Sequence, residues 1–274
     1  MERNRFTFNT GNLAGSIGEK LAAIEEAGFA ATTLWPADIF AHFEDADANL
    51  ALLRRSSVRT PCYMMVRDLE GSPPEVKERK LELARQMMDQ MTLVGADTLV
   101  QCSNINSDVD RDWGLAVQDL QKLGELARSK GIRVAFEPMS QGEWINTYML
   151  GWQLVSDVDH PNIGLVVDAS HIFLAESPLE GIDKIPPERI FLFELADLPA
   201  TQLSRREMLR NYRLFPGEGS RPVRALVERV LATGYRGPIS AEVFNAYYRT
   251  LDPRSVARRG FEALERLFER ELAS

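Results

Sequence analysis

The sequence predicts an α/β fold, a (β/α)8 barrel of the TIM type, and three observations support this prediction. Eight short apolar runs that resemble strands alternate with helical segments along the chain. Strict alternation of this kind is typical of a parallel sheet, and eight repeats favour closure into a barrel over an open sheet. The 274 residues also suit such a barrel, which takes about 250 residues. We expect residues 1–274 to form a single barrel domain.

The first half of the chain contributes four strands and the helices between them. Ser16, with Glu19 three residues later, forms a capping box that predicts the start of a helix, and Gly28 ends it. The four strands are predicted at residues 5–9, 31–35, 58–66 and 98–102. The other helices are predicted within 38–55 after an irregular loop, at 73–94 and at 107–130.

The second half repeats the pattern and adds one long loop. Strands are predicted at residues 132–137, 164–168, 190–194 and 238–242, and helices at 147–158, 223–232 and 253–271, with a short crossover at 179–185. Residues 197–219 are polar and have no strong period. A loop of more than about 15 residues inside a compact domain is usually functional, so we expect this loop to have a functional role.

Each of the last four predicted strands ends on a carboxylate, in the order Glu137, Asp168, Glu194 and Glu242. Active sites of such barrels lie at the carboxyl ends of the strands, so these four side chains would converge on one point. A buried carboxylate costs several kcal/mol unless it is paired or binds a metal. The alternative is four unrelated acidic groups that pair with arginines, but the joint pattern favours a metal site.

The residue types at these strand ends also indicate a chemistry. Oxygen ligands suit hard divalent cations such as Mg²⁺ or Mn²⁺, and His171, three residues after Asp168, would extend the choice to Co²⁺ or Zn²⁺. Such a cation could polarise a substrate carbonyl or hydroxyl. A carboxylate or histidine beside it could move a proton on and off carbon, so we expect His171, Glu137 and Glu242 to be catalytic.

Candidate substrate-binding residues lie near the same predicted face. Arg67 and Arg213 adjoin apolar runs there, and arginine is a natural clamp for a carboxylate or phosphate. Tyr247, just after the last strand, could line the mouth or belong to an interface. Trp35, Met65 and Phe244 could likewise line a pocket or form a dimer contact. A homo-oligomer is therefore one of the expected possibilities.

Composition and charge argue against several classes of partner. The net charge of −8 and the pI of about 5.1, without a Lys/Arg-rich run, argue against nucleic acid and anionic membranes. No apolar run approaches the roughly 18 residues of a membrane span, and no signal peptide is indicated. The two cysteines, Cys62 and Cys102, suit a reducing compartment as buried hydrophobes. We therefore expect a cytoplasmic protein that acts on a small molecule.

A set of motifs spread over nearly the whole chain resembles one known family. The set includes Arg67-Asp68-Leu69-Glu70-Gly71, Cys102-Ser103-Asn104, His160-Pro161-Asn162-Ile163-Gly164 and Phe215-Pro216-Gly217-Glu218-Gly219. The chain resembles the xylose isomerase-like barrel superfamily of sugar isomerases and epimerases. Within it the chain is most similar to bacterial 3-dehydroshikimate dehydratases, with inosose isomerases and dehydratases as relatives. The resemblance implies a divalent metal (Mn, Mg or Co, with Zn as a further choice) held by Glu137, Asp168, Glu194 and Glu242.

The chain departs from the dehydratase pattern where a substrate would be handled. The dehydratases have Gln at the position of Glu194 and a pocket His at that of Trp144, so Trp144 is expected beside the substrate. Three further changes replace acidic or polar family residues: Thr33, Met64 and Asn211. The resemblance implies a metal-dependent lyase that acts on a small polyhydroxylated keto acid, converting 3-dehydroshikimate to protocatechuate. The alternatives are an isomerase or epimerase of an inosose or keto sugar and, from another class, an inactive barrel that serves as a binding or partner subunit.

Overall fold

Eight parallel strands close into a barrel in chain order, β1 to β8, as the sequence predicts. The structure is a computed structural model and describes residues 3–41 and 43–269. The strands are β1 Phe6–Asn9, β2 Ala31–Leu34, β3 Arg59–Arg67, β4 Thr98–Cys102, β5 Arg133–Glu137, β6 Ile163–Asp168, β7 Ile190–Leu195 and β8 Ile239–Ala241. Because every strand is parallel to its neighbours, all eight carboxyl ends lie at one face of the barrel.

The helices lie between the strands in sequence and around the barrel. They are α1 Ile17–Ala27, α2 Ala37–Phe40, α3 Ala46–Arg55, α4 Pro74–Val94, α5 Trp113–Ser129, α6 Tyr148–Val158, α7 Ala169–Leu174, α8 Arg205–Asn211, α9 Val223–Ala232 and α10 Pro253–Leu267. None of the helices in the described ranges is long and apolar enough to cross a membrane.

Local sequence signals set most helix boundaries correctly. The capping box of Ser16 and Glu19 is present at the start of α1, and Gly28 ends that helix with a φ of 101°. The prediction for α5 was wrong at its start: the helix begins at Trp113 because the Asp112 side chain accepts a hydrogen bond from the Leu115 amide. The last helix, predicted to run to residue 271, ends at Leu267 with Phe268 as its C-cap, and residues 270–271 lie outside the described residues.

Apolar side chains fill the barrel interior and the layer between strands and helices. The interior contains Cys62, Met64, Val100, Ala135, Val166 and Leu192 in one buried cluster with Cys102 and Phe191. A Cβ at Gly164 would lie 2.6 Å from the Phe191 ring, so the ring requires a glycine there. Both cysteines are free and buried, as the sequence predicts.

Glu70 is a buried carboxyl that joins the loops after β3 and β4. Its side chain is fully buried and accepts hydrogen bonds from the Asn104 amide at 2.5 Å and from Gln101 Nε2 at 3.2 Å. Burial raises its pKa from the ordinary 4.5 to about 7, although these hydrogen bonds oppose the rise. The folded protein therefore holds a proton here that the unfolded chain releases near pH 4.5.

This proton makes stability fall with rising pH. Between about pH 4.5 and 7 the native state binds more protons at Glu70 than the unfolded state, so its contribution to stability decreases across this window. The loss above pH 7 is on the order of 3 kcal/mol for a shift of this size. We expect the free energy of unfolding of wild type, measured in urea, to fall relative to that of Glu70→Gln as the pH rises from 4.5 to 7. Glu78→Gln, at an exposed position of α4, is the control and should follow wild type; parallel curves for all three proteins would contradict the assignment.

Candidate active site

Strand register brings four carboxylates together at the carboxyl-end face. Asp168 and Glu194 are direct partners across β6 and β7, Glu137 ends β5, and Glu242 follows β8 by one residue. One oxygen from each of the four lies within 4.8 Å of the others, and all four residues are buried. The convergence follows from parallel closure, because residues at the ends of adjacent strands share one edge of the sheet.

Two carboxylates of this cluster are held by nearby donors. The Cys102 thiol donates to Glu137 Oε2 at 3.0 Å, and His171 Nε2 lies 3.3 Å from Glu137 Oε1. The Ser170 amide donates to Asp168 Oδ1 at 2.5 Å. Cys102 is therefore more than a core residue, since its thiol orients a carboxylate of the site.

Arg213 is the positive charge of the carboxylate cluster. Its Nη1 lies 3.2 Å from Asp168 Oδ2 and 2.7 Å from Glu242 Oε2, and its Nε donates to the Leu209 carbonyl at 2.9 Å. Burial disfavours the charge, but Asp168 and Glu242 outweigh it and raise the pKa of Arg213. Arg213 lies in the wall of the cavity, yet most of its donors already bind the protein.

Glu194 is the carboxylate that this network leaves without a partner. Both of its oxygens are buried and have no hydrogen-bond partner among the described residues. Burial, and then repulsion by Glu242 and Glu137, raise the pKa of Glu194 well above its ordinary value. Burial likewise raises the pKa of Glu242 to about 8 against the opposing effect of Arg213. Orphaned oxygens amid excess negative charge fit a divalent cation, which would satisfy both conditions.

The hydrogen bonds of His171 fix its tautomer. The Ser140 amide donates to Nδ1 at 3.0 Å, so Nδ1 carries no proton and Nε2 carries it. Two overlapping groups could hold a metal, the four carboxylates or Glu137 and Asp168 with His171. The tautomer favours the four carboxylates, because an Nε2 that carries a proton cannot ligate a metal. His171 Nε2 then lies 3.3 Å from Glu137 Oε1 and 3.8 Å from Asp168 Oδ2, and it has no hydrogen-bond partner among the described residues.

Asn9 is a site residue that the sequence reasoning missed. Its Oδ1 accepts from Trp35 Nε1 at 2.7 Å and from the Gly11 amide at 2.9 Å. This fixes the amide orientation, so Nδ2 faces Glu242 and donates to its Oε1 at 2.8 Å. Asn9 ends β1, and a polar residue at the end of an apolar strand is the same signal that identified the carboxylates.

A cavity of about 950 Å³ opens above the carboxylates. Glu137, Glu242 and Cys102 line it together with Arg213. Its wall includes Trp35, Met65 and Phe244, which the sequence assigned either to a pocket or to a dimer contact. It also includes Met64 and Asn211, two of the positions at which the chain departs from the dehydratase pattern. The cavity thus combines a charged part with an apolar wall of aromatic and methionine side chains.

The other predicted substrate-binding residues lie in different places. Arg67 lines the cavity and pairs with Asp68 at 3.3 Å. Neither Trp144 nor Tyr247 is among the described residues that line it. Trp144 packs edge-to-face against Trp113 with ring centroids 6.2 Å apart, and Tyr247 is 65% exposed. Trp144 therefore lies outside the described lining of this cavity, and its contact with a substrate stays a prediction.

Comparison with known proteins agrees with the fold. The sequence profile of the xylose isomerase-like TIM barrel family matches residues 21–267. The chain is 33% identical over 255 residues to a 3-dehydroshikimate dehydratase of Pseudomonas putida, covering 93% of this chain and 40% of that protein. An inosose isomerase of Bacillus licheniformis is 27% identical over 145 residues, 52% of this chain and 51% of that protein. The chain spans about two fifths of the length of the Pseudomonas relative.

Solved structures show the same architecture. A fusion of a xylose isomerase-like TIM barrel with 4-hydroxyphenylpyruvate dioxygenase is 32% identical, with a TM-score of 0.93 over 98% of this chain and 43% of that chain. The IOLI protein, solved with a bound zinc atom, has a TM-score of 0.87 at 16% identity and covers 97% of this chain and 98% of that chain. The chain belongs to the xylose isomerase-like TIM barrel family.

Proposed function

We propose that this barrel is a divalent-metal-dependent lyase that acts on a small polyhydroxylated keto acid, with 3-dehydroshikimate as the first candidate substrate. The observation that carries the proposal is the cluster of four buried carboxylates, with both oxygens of Glu194 unpartnered, at a cavity of about 950 Å³. The Pseudomonas relative named as a 3-dehydroshikimate dehydratase supports the choice of substrate.

The proposed metal ligands are Glu137, Asp168, Glu194 and Glu242. Four carboxylates are hard oxygen donors, which suit Mn²⁺, Mg²⁺ or Co²⁺, and the zinc atom in the IOLI structure keeps Zn²⁺ among the candidates. When bound, such a cation would polarise a substrate carbonyl as a Lewis acid.

The chain's own residues supply the proton transfers. Of the four carboxylates, Glu137 and Glu242 line the cavity, so these are the ones that a substrate proton can reach. His171 Nε2 lies 3.3 Å from Glu137 Oε1, so its N–H suits donation of a hydrogen bond to a substrate oxygen on which negative charge develops. The Ser140 hydrogen bond keeps the ring in this orientation.

An isomerase or epimerase of an inosose is the second candidate. Proton transfer next to a carbonyl requires the same carboxylate and imidazole groups, and the inosose isomerase relative supports it. An inactive barrel is less consistent with the structure, because the carboxylate cluster and its donors Cys102, Asn9 and Arg213 form a continuous network.

The deciding experiment is turnover by protein that has been stripped with chelator and reloaded with Mn²⁺, Mg²⁺, Co²⁺ or Zn²⁺. Formation of protocatechuate from 3-dehydroshikimate, followed by its absorbance, would support the lyase. Proton exchange or isomerisation of inososes, followed by NMR without loss of water, would support the second candidate instead. Stoichiometric metal without turnover of either substrate class would overturn both.

His171→Asn separates stabilisation of a substrate oxygen from metal binding. We expect kcat to fall by about 10²–10³-fold, the usual effect of losing one hydrogen-bond donor to developing negative charge, while metal content per chain stays at the wild-type value. The matched control is His160→Asn, because His160 pairs with Glu125 on the helical layer and should leave kcat within about twofold, as for most changes outside a site. Loss of metal from the His171 variant would instead make His171 a ligand.

Asn9→Leu tests whether Asn9 positions Glu242. Leucine has the same number of heavy atoms and the same branching, but neither the Nδ2 donor nor the Oδ1 acceptor. Glu242 therefore loses a hydrogen bond that orients it, and Trp35 Nε1 and the Gly11 amide lose their acceptor. Loss of such a supporting residue typically weakens metal binding by about 10–100-fold, which a competition titration with a chromophoric chelator would measure. Equal metal affinities in Asn9→Leu and wild type would show that Arg213 alone positions Glu242.

A further inference from the structure

The cavity is rich in arginine although the whole chain is acidic. The net charge of the chain is −8, yet the described residues that line the cavity include five arginines and two carboxylates. The arginines are Arg67, Arg206, Arg210, Arg213 and Arg249, and the carboxylates are Glu137 and Glu242. Arginines that have no acidic partner in such a concave site attract anionic ligands.

The five arginines fall into two groups by their partners. Arg213 pairs with Asp168 and Glu242, and Arg67 pairs with Asp68. Within the described residues, the guanidinium groups of Arg206 and Arg210 have no acceptor, and Arg249 donates to a neutral carbonyl, that of Arg210, at 3.2 Å. Positive charge at the cavity is therefore uncompensated at Arg206, Arg210 and Arg249.

These three arginines sit on a fixed support. Arg206 and Arg210 are four residues apart on α8, so they share one face of the helix. Arg205 of the same helix donates at 2.9 Å to the carbonyl of Ser140, the residue that orients His171. At the other end of α8, the Ala246 amide donates to the Asn211 carbonyl at 3.0 Å. Both ends of α8 are thus tied to loops of the carboxyl-end face, which reduces the ordering cost of binding a ligand.

We propose that Arg206, Arg210 and Arg249 form an anion-binding subsite at the mouth of the cavity. It takes an acidic group, a carboxylate or a phosphate, that the substrate carries away from the oxygens facing the carboxylate cluster. Guanidinium forks bind both groups through paired charge-assisted hydrogen bonds. The place of this group within a substrate depends on the proposed function, whereas the anion binding itself does not.

The subsite changes the expected role of Arg213. The sequence suggested that Arg67 and Arg213 anchor the substrate, but Nη1 of Arg213 is committed to Asp168 and Glu242. The uncompensated arginines lie on α8 and beside it, inside the long polar segment 197–219 and after β8. This gives the long segment a function, namely recognition of the acidic end of the substrate.

The test measures anion binding without turnover. Inorganic phosphate and, separately, malonate are titrated into wild-type protein at low ionic strength by calorimetry, with chelator and again with Mn²⁺. The double variant Arg206→Gln/Arg210→Gln should bind the preferred anion about tenfold more weakly in both conditions, since it loses two charged donors. Tighter binding of phosphate would indicate a phosphate group on the natural ligand, and tighter binding of malonate would indicate a carboxylate. The control double variant Arg79→Gln/Arg258→Gln removes the same charge at exposed positions of α4 and α10. It should bind within about twofold of wild type, because neither arginine is among the described residues that line the cavity.

Two results would overturn the subsite. One is equal weakening in the two double variants, which would mean that only the net charge matters, and the other is no saturable binding of either anion to wild type. Once a substrate is known, Arg206→Gln/Arg210→Gln should raise KM with little change in kcat, as expected for loss of uniform binding. Anion binding through α8 without turnover of 3-dehydroshikimate or inososes would support the subsite and count against the proposed substrates, so the two proposals fail separately.

Discussion

Replacing Glu242 by Gln is expected to remove the bound metal and to lower kcat by at least about 10²-fold, the scale of losing one charged stabiliser of a reaction. The amide keeps the size of the side chain but lacks the negative charge that a divalent ion requires. Its NH₂ group would also face Asn9 Nδ2 or Arg213 Nη1, which both donate to Glu242. We expect metal to fall from about one ion per chain, the capacity of one four-ligand site, to a trace, as measured by mass spectrometry after reloading.

A control on the same face separates this effect from a general loss of acidic charge. Glu143 lies in the loop after β5, where it pairs with Arg111 at 3.0 Å on the surface. Glu143→Gln should keep wild-type metal content and kcat. A stoichiometric ion in Glu242→Gln would remove Glu242 from the ligand set, and no stoichiometric ion in wild type with any of the four metals would refute the metal-dependent enzyme.

Replacing Arg213 by Met is expected to produce the largest loss of stability in metal-free protein. Arg213 is 3% exposed and is the guanidinium that faces Asp168 and Glu242. Removing one partner of a buried charge network typically costs about 3–5 kcal/mol, because the remaining charges stay buried and uncompensated. Urea unfolding with chelator present would measure this cost.

Metal should restore part of the stability of Arg213→Met. A ligand that binds only the native state stabilises it by mass action, and a divalent cation also supplies the missing positive charge. Arg210→Met is the matched control, because Arg210 lines the same cavity but is exposed, and most exposed substitutions stay within about 0.5 kcal/mol. Equal stability of Arg213→Met and wild type in chelator would mean that the carboxylates are protonated in the metal-free protein and need no counter-charge.

Much of the barrel could be predicted because its signals are local. A capping box at Ser16, a glycine such as Gly28 after a helix, and apolar runs between helical segments each depend on residues a few positions apart. The wrong start of α5 has an equally local cause. Asp112 is the N-cap, so the helix begins later than the spacing of its apolar residues suggests. The sequence did not predict α8, which lies within the polar segment 197–219. Two of its arginines line a cavity, and that cavity is not evident from the sequence.

The sequence by itself determined that four carboxylates stand at the ends of successive strands, and parallel closure then brings them to one point. Only the tertiary structure decided what each carboxylate contacts. Asn9 and Glu242 are 233 residues apart, and Arg213 and Asp168 are 45 residues apart, so no local spacing relates them. The same holds for the Ser140 amide that fixes the His171 tautomer, and for Trp144, which packs on Trp113 outside the cavity lining. These contacts depend on strand register and on the path of each loop, which are set when the whole barrel closes.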